Sequence, residues 1–162
     1  MLKTKSKKEK IEILKKQLIK YKELSIHDDL TGLYNRRKLQ KDINYFLKKQ
    51  NNKIIITMID VNNFKLINDT EGHITGDQKL IEVGNVIRDN IRKYDKIYRI
   101  GGDEFILILS DYDLKTAKLI INRIKKKLKN KNIKISVGSN KLCHNILEIL
   151  DKKMYEDKRN SN

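Results

Sequence analysis

Apolar positions along the chain switch between two periods, and the switches divide it into elements. Ile11, Leu14, Leu18 and Tyr21 recur at steps of three and four in a highly charged stretch. That is the spacing of a short heptad seam on a helix, suited to a dimerising stalk or to a surface helix leaning on the domain. Leu39, Ile43, Phe46 and Leu47 repeat the helical spacing after a polar entry segment that opens at Asp28. Asp28 and Thr31 favour caps and turns at the mouth of that helix. From Lys53 to Asp60 the residues Ile54, Ile55, Ile56, Met58 and Ile59 predict a central strand by length and β-branching. Helical spacing returns over Gln78–Lys93 through Leu80, Val83, Ile87 and Ile91, and over Leu114–Lys129 through Ala117, Ile120, Ile121, Ile124 and Leu128. A strand at Ile133–Val137 and a last helix at His144–Lys158, apolar at Ile146, Ile149, Leu150 and Met154, complete the order.

Tyr98-Arg99-Ile100-Gly101-Gly102-Asp103-Glu104-Phe105 joins two further apolar runs, Ile97–Ile100 and Phe105–Leu109. Paired glycines between β-rich runs predict a hairpin whose turn uses positive φ. Five successive apolar residues after it predict a strand buried on both faces. Asp103 and Glu104 then stand at the exposed end of a rigid strand. Taken alone, they read as an acidic tip that keeps a hairpin soluble. The whole order predicts an α+β fold with helices on both faces of a central sheet.

The 162 residues amount to one domain and an extension, divided here as a basic N-terminal helix (1–26) and a globular domain (27–162). No apolar run approaches the ~20 residues that span a bilayer. Cys143 is the only cysteine, so no intrachain disulfide forms and a reducing cytoplasmic setting fits. The net charge of +16 invites a nucleic-acid reading. The lysines are spread along the chain and aromatics are few, so no specific nucleic acid is expected. A basic surface equally suits a polyphosphate such as a nucleotide.

Asp60 ends the first strand, where open α/β sheets bind ligands. If that strand neighbours the hairpin, Asp60 and Asp103 meet at one sheet edge. Carboxylates ~4 Å apart repel by about 4 kcal/mol at an effective dielectric of 20, and a cation between them relieves this. Hard oxygen donors select Mg²⁺ or Mn²⁺, the ions of phosphoryl transfer. Between Asp60 and Gln78, Asn, Asp and Gly predict turns with a cluster of polar tips, including Asn68, His73 and Asp77. Asn68 and Asp77 also read plainly as caps, since Asp77 directly precedes a predicted helix.

Gly101-Gly102-Asp103-Glu104-Phe105 matches the signature of the GGDEF domain, the catalytic domain of diguanylate cyclases, and the resemblance extends over roughly residues 28–158. It implies a mainly antiparallel sheet akin to nucleotide-cyclase and polymerase palms. It also implies condensation of two GTP into cyclic di-GMP and two pyrophosphates across a homodimer. Asp60, Asp103 and the Val61 carbonyl would bind Mg²⁺ (or Mn²⁺), two ions per active half-site. By the same resemblance, Asp103 would accept the proton of the attacking 3′-hydroxyl, Glu104 would support metal and hydroxyl, and Lys65 would stabilise charge on phosphate. Phe64, Asn68, His73, Asp77 and Lys158 match substrate-binding positions, with Asn68 and Asp77 reading guanine. Asp77 is replaced in relatives that make adenine-containing products, so its presence argues for GTP.

Arg92-Lys93-Tyr94-Asp95 lies five residues before Gly101 and resembles the family's inhibitory product site, with Arg123 as its second arginine. An Arg–Asp pair at a helix end is the plain alternative. Three departures stand out. Asn62 replaces a frequent second Asp, and the segment between Gly138 and Asp151 is short enough to trim the sheet edge. Ser161-Asn162 stands where Gly-Arg usually follows. Loss of that arginine removes a charge-assisted bond of about 1.5–3 kcal/mol and would weaken GTP binding. The expected function is diguanylate cyclase; the alternative is a catalytically weak or inactive domain that binds GTP or cyclic di-GMP and signals. The controlling signal is expected on another chain or on a longer form of this one.

Overall fold

The two longest β-branched and apolar runs become the central strands of a five-stranded sheet. The computed structural model describes residues 7–24, 26–49 and 53–160. Helix α1 (Lys7–Leu24) is followed by β1 (Tyr34–Asn35), α2 (Arg36–Lys48), β2 (Ile54–Val61), α3 (Phe64–Glu71) and α4 (His73–Arg88). Then come β3 (Lys96–Arg99), β4 (Glu104–Ser110), α5 (Leu114–Lys129), β5 (Ile135–Lys141) and α6 (Ile146–Asn160). The strand order is β1-β3-β4-β2-β5, antiparallel throughout except for the short β1–β3 pair.

Alternate residues of β2 and β4 feed two cores, which is why neither run alternates with polar residues. Ile54, Ile56, Met58, Ile106 and Ile108 pack under α2 and α6 with Leu39, Ile43, Ile146, Leu150 and Met154. Ile55, Ile59, Phe105, Leu107 and Leu109 pack under α4 and α5 with Leu80, Val83, Ile87, Ile120, Ile121, Ile124 and Leu128. The expected α+β architecture with helices on both faces is what forms. On α1, Ile11, Leu14, Leu18 and Tyr21 are 46%, 62%, 54% and 71% exposed, so the seam stands in solvent and does not lean on the domain.

Several expected boundaries move. The segment after β2 does not stay in turns: Phe64–Glu71 forms α3, and α4 begins at His73 and ends at Arg88. One residue separates the two helices. Gly72 sits at φ 86°, accessible without strain only to glycine, with its N–H on the Asn68 carbonyl and its own carbonyl receiving the Gly76 N–H. Asp77 therefore lies inside α4 and caps nothing, and Ile91 lies beyond the helix end. At the entry, Asn35 is the cap of α2, its side chain accepting from the Lys38 N–H at 3.1 Å. Asp28 instead closes a turn, accepting from the Thr31 N–H and hydroxyl at 2.9 and 2.6 Å. The β1 strand was not foreseen, β5 runs on to Lys141, and α6 spans Ile146–Asn160.

The hairpin forms, but its glycines do not work as expected. Neither Gly101 nor Gly102 has positive φ, and the Ile100 N–H donates to the Glu104 carbonyl at 2.9 Å across the loop. A Cβ at Gly101 would lie 2.5 Å from a Glu104 carboxylate oxygen, the far end of a side chain that can swing aside.

Candidate functional site

The β2–β4 register settles the assumed strand pairing. Asp60 lies opposite Glu104, and the Val61 N–H donates to the Asp103 carbonyl at 3.2 Å. Asp60, Asp103 and Glu104 are thus delivered to one sheet edge by the pairing of two strands whose middles are fully buried. Asp60 is 8% exposed; Asp103 and Glu104 are half-buried. Burial pushes the Asp103 carboxyl above the ordinary carboxylate range, and the Asp60 charge adds to the shift. Glu104 is raised in the same direction by burial, then by Asp103 and Asp60.

The edge has drawn in a cation from a distant part of the chain. Lys158, near the end of α6, places its Nζ 2.6 Å from Asp60 Oδ1. The helix can reach there because Gly138 on β5 leaves room for the α6 backbone at Leu150 and Met154 to lie against the strand. Lys158 is therefore brought beside the hairpin carboxylates, onto Asp60.

The remaining residues come from the α3–α4 hairpin that follows β2. Lys65 on α3, and His73 and Asp77 on α4, are exposed, while Phe64 and Asn68 are partly buried. Asn68 Oδ1 is buried without a hydrogen-bond partner. The turn into α3 is pinned by Asn62, which is 7% exposed; the Ser136 hydroxyl donates to its Oδ1 at 2.7 Å and its own N–H donates to the Lys134 carbonyl. Asn62 at this position is thus a structural tie to β5, and no signal in the sequence marked Ser136 as its partner.

Arg99 is the other residue the motif reading passed over. Its Nε and one terminal nitrogen donate to the Gly102 carbonyl at 3.1 and 2.7 Å, and the other terminal nitrogen holds both Asp28 carboxylate oxygens at 3.1 and 3.3 Å. A single guanidinium thus clamps the hairpin tip to the segment entering the domain. Its place two residues before the Gly-Gly pair was the available clue.

Arg92, Asp95 and Arg123 meet elsewhere, at the far end of β4. Asp95 is 8% exposed, and its oxygens accept from the Arg92 and Ser110 N–H groups at 2.9 and 3.1 Å. The Arg92 guanidinium lies 4.6 Å from the Tyr112 ring centroid, and Arg123 donates to the Asn90 carbonyl at 2.7 Å. Ser161 and Asn162, where an arginine was missed, lie outside the described residues.

Among the described residues no group of three His, Cys, Asp or Glu side chains is arranged to hold a metal ion, and no helix is long and apolar enough to cross a membrane. The donors at the edge are carboxylates and backbone carbonyls. Such an edge can concentrate negative charge beside a cationic rim, the setting of phosphoryl-group chemistry.

The comparisons with known proteins agree with this geometry. The family described as diguanylate cyclase, GGDEF domain matches residues 25–147. A probable diguanylate cyclase of Escherichia coli (strain K12), DgcJ, is 35% identical over 150 residues, covering 85% of this chain and 30% of the relative. The E. coli diguanylate cyclase DosC is 35% identical over 162 residues, covering 86% and 35%. The chain thus spans about a third of the length of these relatives. Among solved structures, diguanylate cyclase SiaD of Pseudomonas aeruginosa, in complex with its activator SiaC, superposes with a TM-score of 0.80 at 27% identity, over 94% of this chain and 65% of that one. The coiled coil and GGDEF domain of Caulobacter crescentus DgcB, in complex with cyclic di-GMP, shares the fold at a TM-score of 0.88 and 23% identity, over 96% and 92%. With the acidic hairpin, its facing strand and the sheet order all in place, the chain belongs to the diguanylate cyclase GGDEF-domain family.

Proposed function

We propose that this chain is itself a diguanylate cyclase, joining two GTP molecules into cyclic di-GMP and releasing two pyrophosphates. The observation that carries the reading is the register that sets Asp60 opposite Glu104, with Asp103 bonded to the end of β2. A strand pairing that gathers three carboxylates at one edge is costly for the fold and is explained by a cation that balances them.

The donor set fits Mg²⁺ or Mn²⁺. Mg²⁺ prefers one or two carboxylates with phosphate and water completing its shell, so the lack of a ready-made three-carboxylate cage is no obstacle. The raised Asp103 and Glu104 carboxyls and the Lys158 ammonium on Asp60 mark a site that favours added positive charge. Asp60, Asp103 and the Val61 carbonyl would hold the ions. Bound there, they supply charge neutralisation at the reacting phosphate and a more acidic 3′-hydroxyl.

The chain's own residues do the rest. Asp103 takes the proton of the attacking hydroxyl, and Glu104 shares the edge charge that tunes it. The Lys65 ammonium balances charge developing on the α-phosphate, and Lys158 leaves Asp60 for the phosphate tail. Phe64 and His73 border the nucleotide, while Asn68 and Asp77 offer acceptors to the guanine N1–H and 2-amino group. One domain holds one nucleotide, so two copies face each other, each hydroxyl attacking the partner's α-phosphate in line. Arg92 and Arg123, presented by the turn that Asp95 closes, bind product and slow the reaction.

Incubating the purified protein with GTP and Mg²⁺ and separating the products by chromatography tests this directly. Cyclic di-GMP, with a rate that rises more steeply than linearly with protein concentration, is expected. Bound GTP without product at high protein concentration would replace the enzyme with a nucleotide-binding module.

A further inference from the structure

Gly76 occupies the interior of α4, where alanine is the better helix former. Its φ is not positive, so its backbone asks for no glycine. What asks for it is a neighbour. A Cβ at this position would run into the Asn68 amide oxygen, with Asn68 Cγ at 3.1 Å and Phe64 Cζ at 3.3 Å. The oxygen pressed against this gap is the buried side-chain acceptor that has no hydrogen-bond partner. Burying an amide oxygen unpaired opposes folding, and Asn is itself a weak helix former, so neither residue is there for the helices. Both make sense together if the gap exists to hold the amide for a ligand donor.

We infer that Gly76 is a positioning residue for base recognition: its missing side chain seats the Asn68 amide beside Asp77, which follows it on the same turn of α4. This rests on the reading of Asn68 as a guanine contact. The seat is short and rigid, since Gly72 alone joins the two helices and ties the Asn68 carbonyl. Gly76 touches no ligand; it acts through Asn68. A residue needed only for α3 to lie on α4 would carry the same glycine, so the test must read the base separately from the fold.

The experiment is equilibrium binding of 3′-deoxy-GTP, which lacks the attacking hydroxyl, and of inorganic tripolyphosphate, both with Mg²⁺. Wild type is compared with Gly76→Ala, Asn68→Ala and the double variant. Gly76→Ala is expected to weaken 3′-deoxy-GTP about tenfold, the worth of roughly one hydrogen bond, while leaving tripolyphosphate unchanged. The double variant should bind no more weakly than Asn68→Ala alone, because the two changes remove one contact. Unchanged 3′-deoxy-GTP binding by Gly76→Ala, losses that add in the double variant, or an equal loss for tripolyphosphate would each overturn the inference. An Asn68→Ala variant that binds like wild type would remove the base-reading role first, and the inference with it. If Gly76→Ala alone fails to fold while the double variant folds, the collision is with Asn68, as inferred. If neither folds, the glycine serves helix packing and the inference is wrong.

Discussion

The two ends of β4 hold carboxylates of opposite character. Seven residues, about 20 Å of strand, separate them. At the Glu104 end, Asp103 and Glu104 are raised by burial and by neighbouring negative charge, and Lys158, in contact with Asp60, offsets only part of it. At the Ser110 end, Asp95 is buried more deeply than Asp103, yet both of its oxygens receive backbone N–H groups. The difference is whether the fold answers the charge. Asp95 closes a turn and belongs to the scaffold, whereas the carboxylates at the hairpin are left for something outside the chain. A sheet edge with unanswered charge is where chemistry is to be sought; an answered one is where a rigid frame can present arginines.

The comparison breaks first on turnover. Asp103→Ala is expected to lower cyclic di-GMP formation by about a thousandfold or more, since proton acceptor and metal donor are lost together. GTP binding in the same assay should persist. Activity within tenfold of wild type would take Asp103 out of the reaction and leave the hairpin charge unexplained. At the other end, Arg92→Ala should raise the concentration of cyclic di-GMP needed for half-inhibition by about tenfold, the scale of one charge-assisted contact, without lowering the initial rate. An unchanged inhibition curve would return Arg92 to its packing on Tyr112 and nothing more.

How far this contrast could be read in advance differs between fold and site. The central strands were legible because Ile54–Ile59, interrupted by the buried Thr57, and Phe105–Leu109 are buried on both faces and show it in apolar runs without alternation. β1 was not, since two residues paired in parallel to β3 carry no period at all. The start of α4 was misplaced because Gly76 looks like a breaker, while its reason for being glycine lies on another helix. In the site, the Asp103–Glu104 pair was visible locally, but the partnership of Asp60 with Lys158 spans 98 positions and exists only through α6 lying on β5. The Arg99 clamp on Asp28 is equally a product of tertiary contact.

A third test asks whether Asp95 is as structural as its partners imply. Asp95→Ala leaves the Arg92 and Ser110 N–H groups without acceptors in a buried turn, and should cost about 2 kcal/mol of stability. Urea unfolding would show this as a lower midpoint at unchanged slope. A change within about 0.5 kcal/mol, the scale of an ordinary surface substitution, would mean that water replaces the carboxylate and that the turn is less closed than it looks.

The smallest effect is the most discriminating, because it has the opposite sign. The Asp103 carboxyl sits above its ordinary range, so the folded protein takes up a proton there more readily than the unfolded chain. Stability from this group is therefore present at low pH and is lost as pH rises through the raised folded value. At neutral pH, in a chelator that removes divalent ions, Asp103→Asn should melt higher than wild type by about 2 °C, the shift of a fraction of a kcal/mol for a domain of this size. At pH below the ordinary carboxylate range, where the group is protonated in folded and unfolded chains alike, the advantage should vanish. Added Mg²⁺ should close the gap from the other side at neutral pH, by stabilising wild type and not the variant. An asparagine variant that melts lower at every pH would show that Asp103 is answered within the fold as fully as Asp95, and the two ends of β4 would no longer differ.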